Sequence, residues 1–291
     1  MEFSLNHKNN NIDITGHANP VMVDGKPLVL SYSRVSTFQK DRSRYYMSYK
    51  LGVRDPQNIY MAIGSVFDII AKHRVLGQVL TDDEVVAKLD ANRSYDPGEA
   101  LIYGKAVWNI YESTGQFSEL MSTLEDADMF SVTGDYTLNV GGLMIRGLPD
   151  LWYVKNGMTT VLDWKVNGVM KPGSAKRNAG CMYYIEDKGK QYINDGQRPA
   201  PAAVYAAQLD VYRNLMNRLL PESRCDVGVI SQFYYPWYAH YVYRIEACPS
   251  FWDSAQACWD AEINGTIISP ERKAELDGMV KMFGQGALAM V

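Results

Sequence analysis

The chain has 291 residues, of which 47% are hydrophobic and 21% charged, with a formal net charge of −4. That is ordinary for a globular protein and supplies a substantial core in one large domain or two small ones. It argues against nucleic-acid binding through overall charge, so a DNA ligand would need a local positive field.

Four cysteines, Cys181, Cys225, Cys248 and Cys258, are too sparse for a disulfide framework and form no CxxC pair. A reduced, cytoplasmic setting is expected. The polar start of the chain has no apolar signal-peptide core, and no apolar run is long enough to span a membrane.

In chain order, residues 1–27 read as an irregular segment. Ser33 is a candidate N-cap for a helix through "SRVSTFQKDRSRYYMSYKLG". A second apolar helix covers "NIYMAIGSVFDIIAKHRV". Thr81 followed by Glu84 reads as a capping box opening a short helix. Further helices follow across "GEALIYGKAVWNIYES" and "QFSELMSTLED".

From about residue 130 the alternation changes to strand, in three runs: "FSVTGDYTLNV", "LMIRGLPDLWYV" and "MTTVLDWKV". A long loop leads to a helix near 201–220. The strands "RCDVGVISQFYY" and "AHYVYRIEA" and two closing helices complete the chain. This order predicts an α/β (α+β) fold, a mixed central sheet flanked by helices with an N-terminal helical region. The expected organisation is a domain over 28–291, with a helical part at 31–128, a core at 129–246 and C-terminal helices at 250–291.

Asn156-Gly157 is the strongest short hairpin signal in the chain, because a type I′ turn needs positive φ at both central residues. With those two at the turn, Lys155 faces Met158, and the register runs back to place Asp150 opposite Asp163. Opposed side chains lie ~4.5–5.5 Å apart at Cβ, where like charges repel. Alternation adds Lys165 to the face of Asp163 and turns Leu151 and Leu162 to the other.

Two carboxylates this close would drive one pKa up sharply, unless a cation sits between them. Oxygen donors favour a hard ion, Mg²⁺ or Mn²⁺. An adjacent lysine can orient a water or neutralise a phosphate, which is equipment for metal-assisted phosphodiester hydrolysis. A surface hairpin with a cross-strand ion pair is the plainer alternative.

"GLPDLWYV" followed by "VLDWKVNG" resembles the core of the PD-(D/E)XK nuclease superfamily, in its RecB-like and Cas4-like branch. "SYSRVSTFQKDRSRYY", "GSVFD" (Gly64 to Asp68) and "QLDVY" (Gln208 to Tyr212) are similar to three further marks of that branch, in the expected order over residues 31–235. The resemblance implies a restriction-endonuclease-like core. It also implies metal held by Asp150, Asp163, Asp68 and the backbone carbonyl of Trp164, with Lys165, Gln208 and Tyr212 serving the site. Asp68 stands where the branch usually has His. Asp41-Arg42 stands where it often has Cys-Pro, and the closing cysteine cluster is missing, so no Fe–S cluster is expected. Glu125, Asp126 and Asp128 are candidates for a further upstream acid, and the sequence does not choose among them.

The loop 167–200 carries six basic and three acidic residues. Lys171, Lys176, Arg177, Tyr183 and Tyr184 would suit a DNA path in which aromatic rings stack on bases. A solvated loop has the same composition. Arg34 and Arg44 form a second candidate phosphate-contacting group. The expected function is a Mg²⁺- or Mn²⁺-dependent DNA nuclease, an exonuclease acting on linear double- or single-stranded DNA in recombination, repair or phage DNA processing. The cell would be bacterial or a phage-infected host, with a single-strand annealing or recombination protein as a partner and no membrane. The rivals are an inactive nuclease-fold protein that binds DNA or acts as a scaffold, and a hydrolase of another phosphate ester. No Walker-type or GxGxxG loop supports a nucleotide pocket. Polarity, strand preference, DNA against RNA and oligomeric state leave no mark in the sequence.

Overall fold

The computed structural model describes residues 20–132, 134–169, 201–235 and 237–290. They form a mixed α/β arrangement. A five-stranded sheet and a three-stranded sheet pack among helices.

The N-terminal segment is more ordered than expected. Strands β1 (Met22–Val23) and β2 (Lys26–Pro27) pair as a small hairpin. Its turn, Asp24-Gly25, takes φ 51° and 74°. The Asp-Gly pair is the signal that should have predicted it. After β3 (Leu30–Ser31) comes helix α1 (Tyr32–Lys40), capped by the hydroxyl of Ser31 accepting from Arg34 N, two residues before the expected cap. Asp41 then breaks the helix and caps the next one, α2 (Arg42–Tyr45), by accepting from Arg44 N at 2.9 Å. A π-helical turn, Tyr46–Lys50, follows.

Helix α3 (Ile59–Val75) starts at Asn58, whose side chain accepts from Met61 N. Ile63, Phe67 and Ala71, four apart, are fully buried. The neighbouring stripe, Gly64, Asp68 and Lys72, lies along the flank of that face. Helix α4 (Asp82–Ala87) opens on the expected capping box of Thr81 and Glu84. Helices α5 (Pro97–Ser113) and α6 (Gln116–Glu125) follow.

The first two of the three expected strand runs are each split. The first becomes β4 (Met129–Val132) and β5 (Tyr136–Val140), the second β6 (Leu143–Gly147) and β7 (Leu151–Lys155). β4 and β7 pair in the larger sheet, β5 and β6 in the smaller. The chain therefore leaves one sheet and re-enters it. Pro149 has no N–H for a ladder, and Gly147 lies so near the following helix that an added Cβ would meet Leu215 Cδ1 at 2.4 Å. Trp152 Nε1 donates to Tyr136 Oη at 2.8 Å and ties the two sheets together.

β8 (Met158–Val169) runs antiparallel to β7 and parallel to β9 (Arg224–Tyr235), which pairs with β10 (Trp237–Arg244). The crossover from β8 to β9 includes helix α7 (Pro201–Leu219). Helices α8 (Pro249–Ile263) and α9 (Pro270–Phe283) close the chain. One apolar cluster joins the α7 side of the sheet to α1 and α8; another joins α3, α5 and α6 to Leu151, Leu162 and Trp164. Among the described residues no helix is long and apolar enough to cross a membrane.

Candidate functional site

The hairpin forms with the expected turn and register. Asn156 and Gly157 have φ 53° and 72°, and the pairs run from Lys155–Met158 to Leu151–Leu162. The ladder stops one pair short of the two acids, because Asp150 lies in the joint between the sheets. Its side chain bridges the gap: Asp150 Oδ2 accepts from Trp164 N at 2.8 Å. The indole of Trp164 points the other way, packing edge-on to Phe67.

Asp163 is 2% exposed in the middle of the central strand. A buried carboxylate needs partners. Its Oδ1 accepts from Gln208 Nε2 at 3.4 Å, and Lys165 forms an ion pair with its Oδ2. Gln208 Nε2 also lies 2.7 Å from Tyr212 Oη, whose hydroxyl donates to Leu148 O at 3.0 Å. Four-residue spacing on α7 puts Gln208 and Tyr212 on one stripe. Asp210, between them, faces elsewhere: its Oδ2 accepts from Cys248 N and Trp252 Nε1, both of α8 or its cap. The ammonium of Lys165 lies 5.5 Å from the centre of the Tyr205 ring.

Asp68 joins from α3, accompanied by a residue that the sequence did not point to. Lys72 Nζ donates to Asp68 Oδ2 at 2.8 Å and to Asp150 Oδ1 at 3.3 Å. Only its spacing, four residues after Asp68, could have suggested it. Three carboxylates and two ammonium groups thus gather where α3, β8 and the sheet joint meet.

The electrostatics of this cluster are unsettled. Burial, then the nearby Asp150 charge, raises the pKa of Asp68 to about 6, against the pull of Lys72. Burial also raises Asp163, to about 7; Lys165 opposes the rise and Asp150 adds to it. For Lys165 burial works downward, but Asp163 and Asp150 outweigh it and leave its pKa raised. Asp68 Oδ1 and Asp163 Oδ2 are buried and without a hydrogen bond; each is met instead by an ammonium.

The donor chemistry fits a hard divalent ion: carboxylates only, two of them presenting buried oxygens whose only partner is an ammonium. Yet among the described residues no three ligating side chains converge as a ready-made cage. The space between Asp68 and Asp150 is taken by Lys72.

Other expected residues fall elsewhere. Arg34 turns inward: it donates to Tyr45 Oη at 2.8 Å and Val29 O at 3.0 Å, and pairs with Glu262. A phosphate contact would require giving up Glu262, so burial corrects the picture of a surface arginine. Arg44 is half exposed and pairs with Asp55. Asp126 pairs with Lys155, and Asp128 Oδ2 accepts from Asn156 N. Those acids, with neighbouring Glu125, therefore stand at the turn end of the hairpin, the length of β7 away from Asp150. Lys171, Lys176, Arg177, Tyr183 and Tyr184 lie outside the described residues.

No family model matches the chain, and no curated protein matches it. Among solved structures it is similar to a Eubacterium rectale protein named "Putative exonuclease", at 13% identity and a TM-score of 0.48, over 85% of this chain and 82% of that one. It is also similar to SSO0001, at 15% identity and a TM-score of 0.29, over 81% of this chain and 87% of that one. At such values the chemistry has to be read from the side chains.

Proposed function

We propose that the protein is a Mg²⁺- or Mn²⁺-dependent DNA nuclease of the PD-(D/E)XK type, hydrolysing phosphodiester bonds from the ends of linear DNA. The observation that carries this reading is the joining of Asp150, Asp163 and Lys165 at one strand, with Asp163 held by Gln208. Asp68, Asp150, Asp163 and the carbonyl of Trp164 would hold the ion. When bound, it would polarise a phosphoryl oxygen and lower the pKa of a water.

The remaining work falls to the chain itself. Lys165 offsets negative charge beside Asp163 and can orient the attacking water or a phosphate oxygen. Gln208 fixes the Asp163 carboxylate, and Tyr212 anchors Gln208 near Leu148 O, beside the sheet joint. Burial in a poorly solvated setting strengthens each of these interactions.

The test is degradation of linear DNA with Mg²⁺ by wild type, Asp163→Asn and Lys165→Ala. Both variants should lose activity by at least ~10²–10³-fold, as removal of a preorganised electrostatic group does. Equal rates in all three would end this assignment, and a closed circular substrate would separate end-directed from internal cutting.

A second reading is a nuclease-fold protein that binds DNA without cutting. One observation favours it: the lack of a converged three-ligand cage among the described residues. Such a protein would retain DNA binding but cleave no substrate with either ion.

A further inference from the structure

The position of Lys72 is not explained by helix packing. Its side chain is 16% exposed and spans two carboxylates of different segments, Asp68 of α3 and Asp150 at the sheet joint. An (i, i+4) pair with Asp68 would be an ordinary helix feature. The second contact, to a residue 78 positions away, makes the ammonium a bridge.

We propose that Lys72 is an internal counter-cation that competes with the divalent ion for the space between Asp68 and Asp150, and so sets how tightly the site takes metal. This rests on the metal-dependent reading above. Charge balance supports it. With all three carboxylates ionised, as metal ligands are, Lys72 and Lys165 leave one net negative charge, and a divalent ion turns the cluster positive. Without the Lys72 charge, the same ion brings the cluster to neutrality. Like charges a few ångströms apart in a poorly solvated site repel strongly, so Lys72 must leave its bridge when metal enters.

The residue choice matters. Lysine is a compact point charge on a flexible stem, able to swing aside without moving the helix. An arginine in its place would keep the charge and hold both carboxylates with a wider fork. Lys72 is therefore a positioning residue of the metal-free site rather than a group that touches the reacting atoms.

The experiment is calorimetric titration of the full-length protein with Mn²⁺ near neutral pH, for wild type, Lys72→Gln, Lys72→Met and Lys72→Arg. Lys72→Gln keeps a donor for Asp68 while removing the charge, so it guards against a variant that fails to fold. Lys72→Gln and Lys72→Met should bind Mn²⁺ at least ~10-fold more tightly than wild type, and Lys72→Arg no more tightly than wild type. The rise in melting temperature on adding Mn²⁺ should be larger in Lys72→Gln than in wild type. Binding in Lys72→Gln alone supports the same conclusion. Equal or weaker binding by a folded Lys72→Gln, with wild type binding normally, overturns the role of Lys72 but leaves the metal-dependent reading standing. No Mn²⁺ uptake by any of the four proteins overturns both.

Discussion

Two buried clusters of mixed charge lie in this molecule, and they are resolved in opposite ways. In the first, Glu262 of α8, whose side chain is fully buried, receives Arg34 and Tyr45 on one oxygen and Lys50 on the other. Both carboxylate oxygens are partnered, and Lys50, Tyr45 and Arg34 overcome burial to hold its pKa below the ordinary value. In the second, one oxygen of Asp68 and one of Asp163 are met by a lysine ammonium alone, and burial pushes both pKa values up. The first cluster staples the beginning of the described chain to its end, across more than two hundred residues. The second holds charge in readiness. A carboxylate held low by several donors fits a structural network; carboxylates pushed up by burial and met by lysines are the pattern of a candidate site.

The contrast can be broken by substitution. Glu262→Gln should destabilise the protein by about 3–5 kcal/mol in chemical denaturation, because Arg34 would lose its only carboxylate in a largely buried setting while Lys50 would keep only Asp24. Asp163→Asn should cost less, since burial already pushes this carboxyl up to about 7 and so disfavours its charge, although the change leaves Lys165 without its ion-pair partner. A larger loss for Asp163→Asn than for Glu262→Gln would refute the comparison.

A pH series sharpens it. The folded pKa values of Asp68 and Asp163, about 6 and about 7, lie above the ordinary 3.8. Between these limits the folded state holds protons that the unfolded state has released. The stability from this difference is present at low pH and is lost as pH rises through about 6 to 7. Metal-free protein should thus lose on the order of 1–3 kcal/mol between about pH 5 and pH 8, measured by urea unfolding, and saturating Mn²⁺ should flatten the decline. Stability rising over that range would contradict the raised pKa values.

The smallest effect is expected at Tyr212. Tyr212→Phe removes the hydroxyl that reaches Leu148 O and Gln208. It should cost about 1 kcal/mol of stability and slow DNA degradation only several-fold, through a looser Asp163. An unchanged rate would detach the tyrosine from the site.

What the sequence revealed and what it concealed follow from contact range. The hairpin was legible because Asn156-Gly157 dictates its own turn and the register follows by counting. The stripe of Gln208 and Tyr212 was legible from helical spacing. The strand break at Pro149 was not, because the alternation continues past it, and beside the missing N–H of Pro149 the close seat of α7 on Gly147 shapes where the chain changes sheets. Lys72 was hidden for the same reason: its contact with Asp150 belongs to no local pattern. Arg34 resembled a surface charge because its partner, Glu262, lies 228 residues away.

Gly147 carries no functional group, yet it shares its stretch of chain with Asp150 and its contact surface with Leu215 and Tyr212 of α7. The acid from the sheet joint and the helix that steadies Asp163 are consequently set by one seam. A side chain added there would press on Leu215 and Tyr212 and displace the helix or the joint, so a change at this one glycine would disturb both halves of the cluster at once.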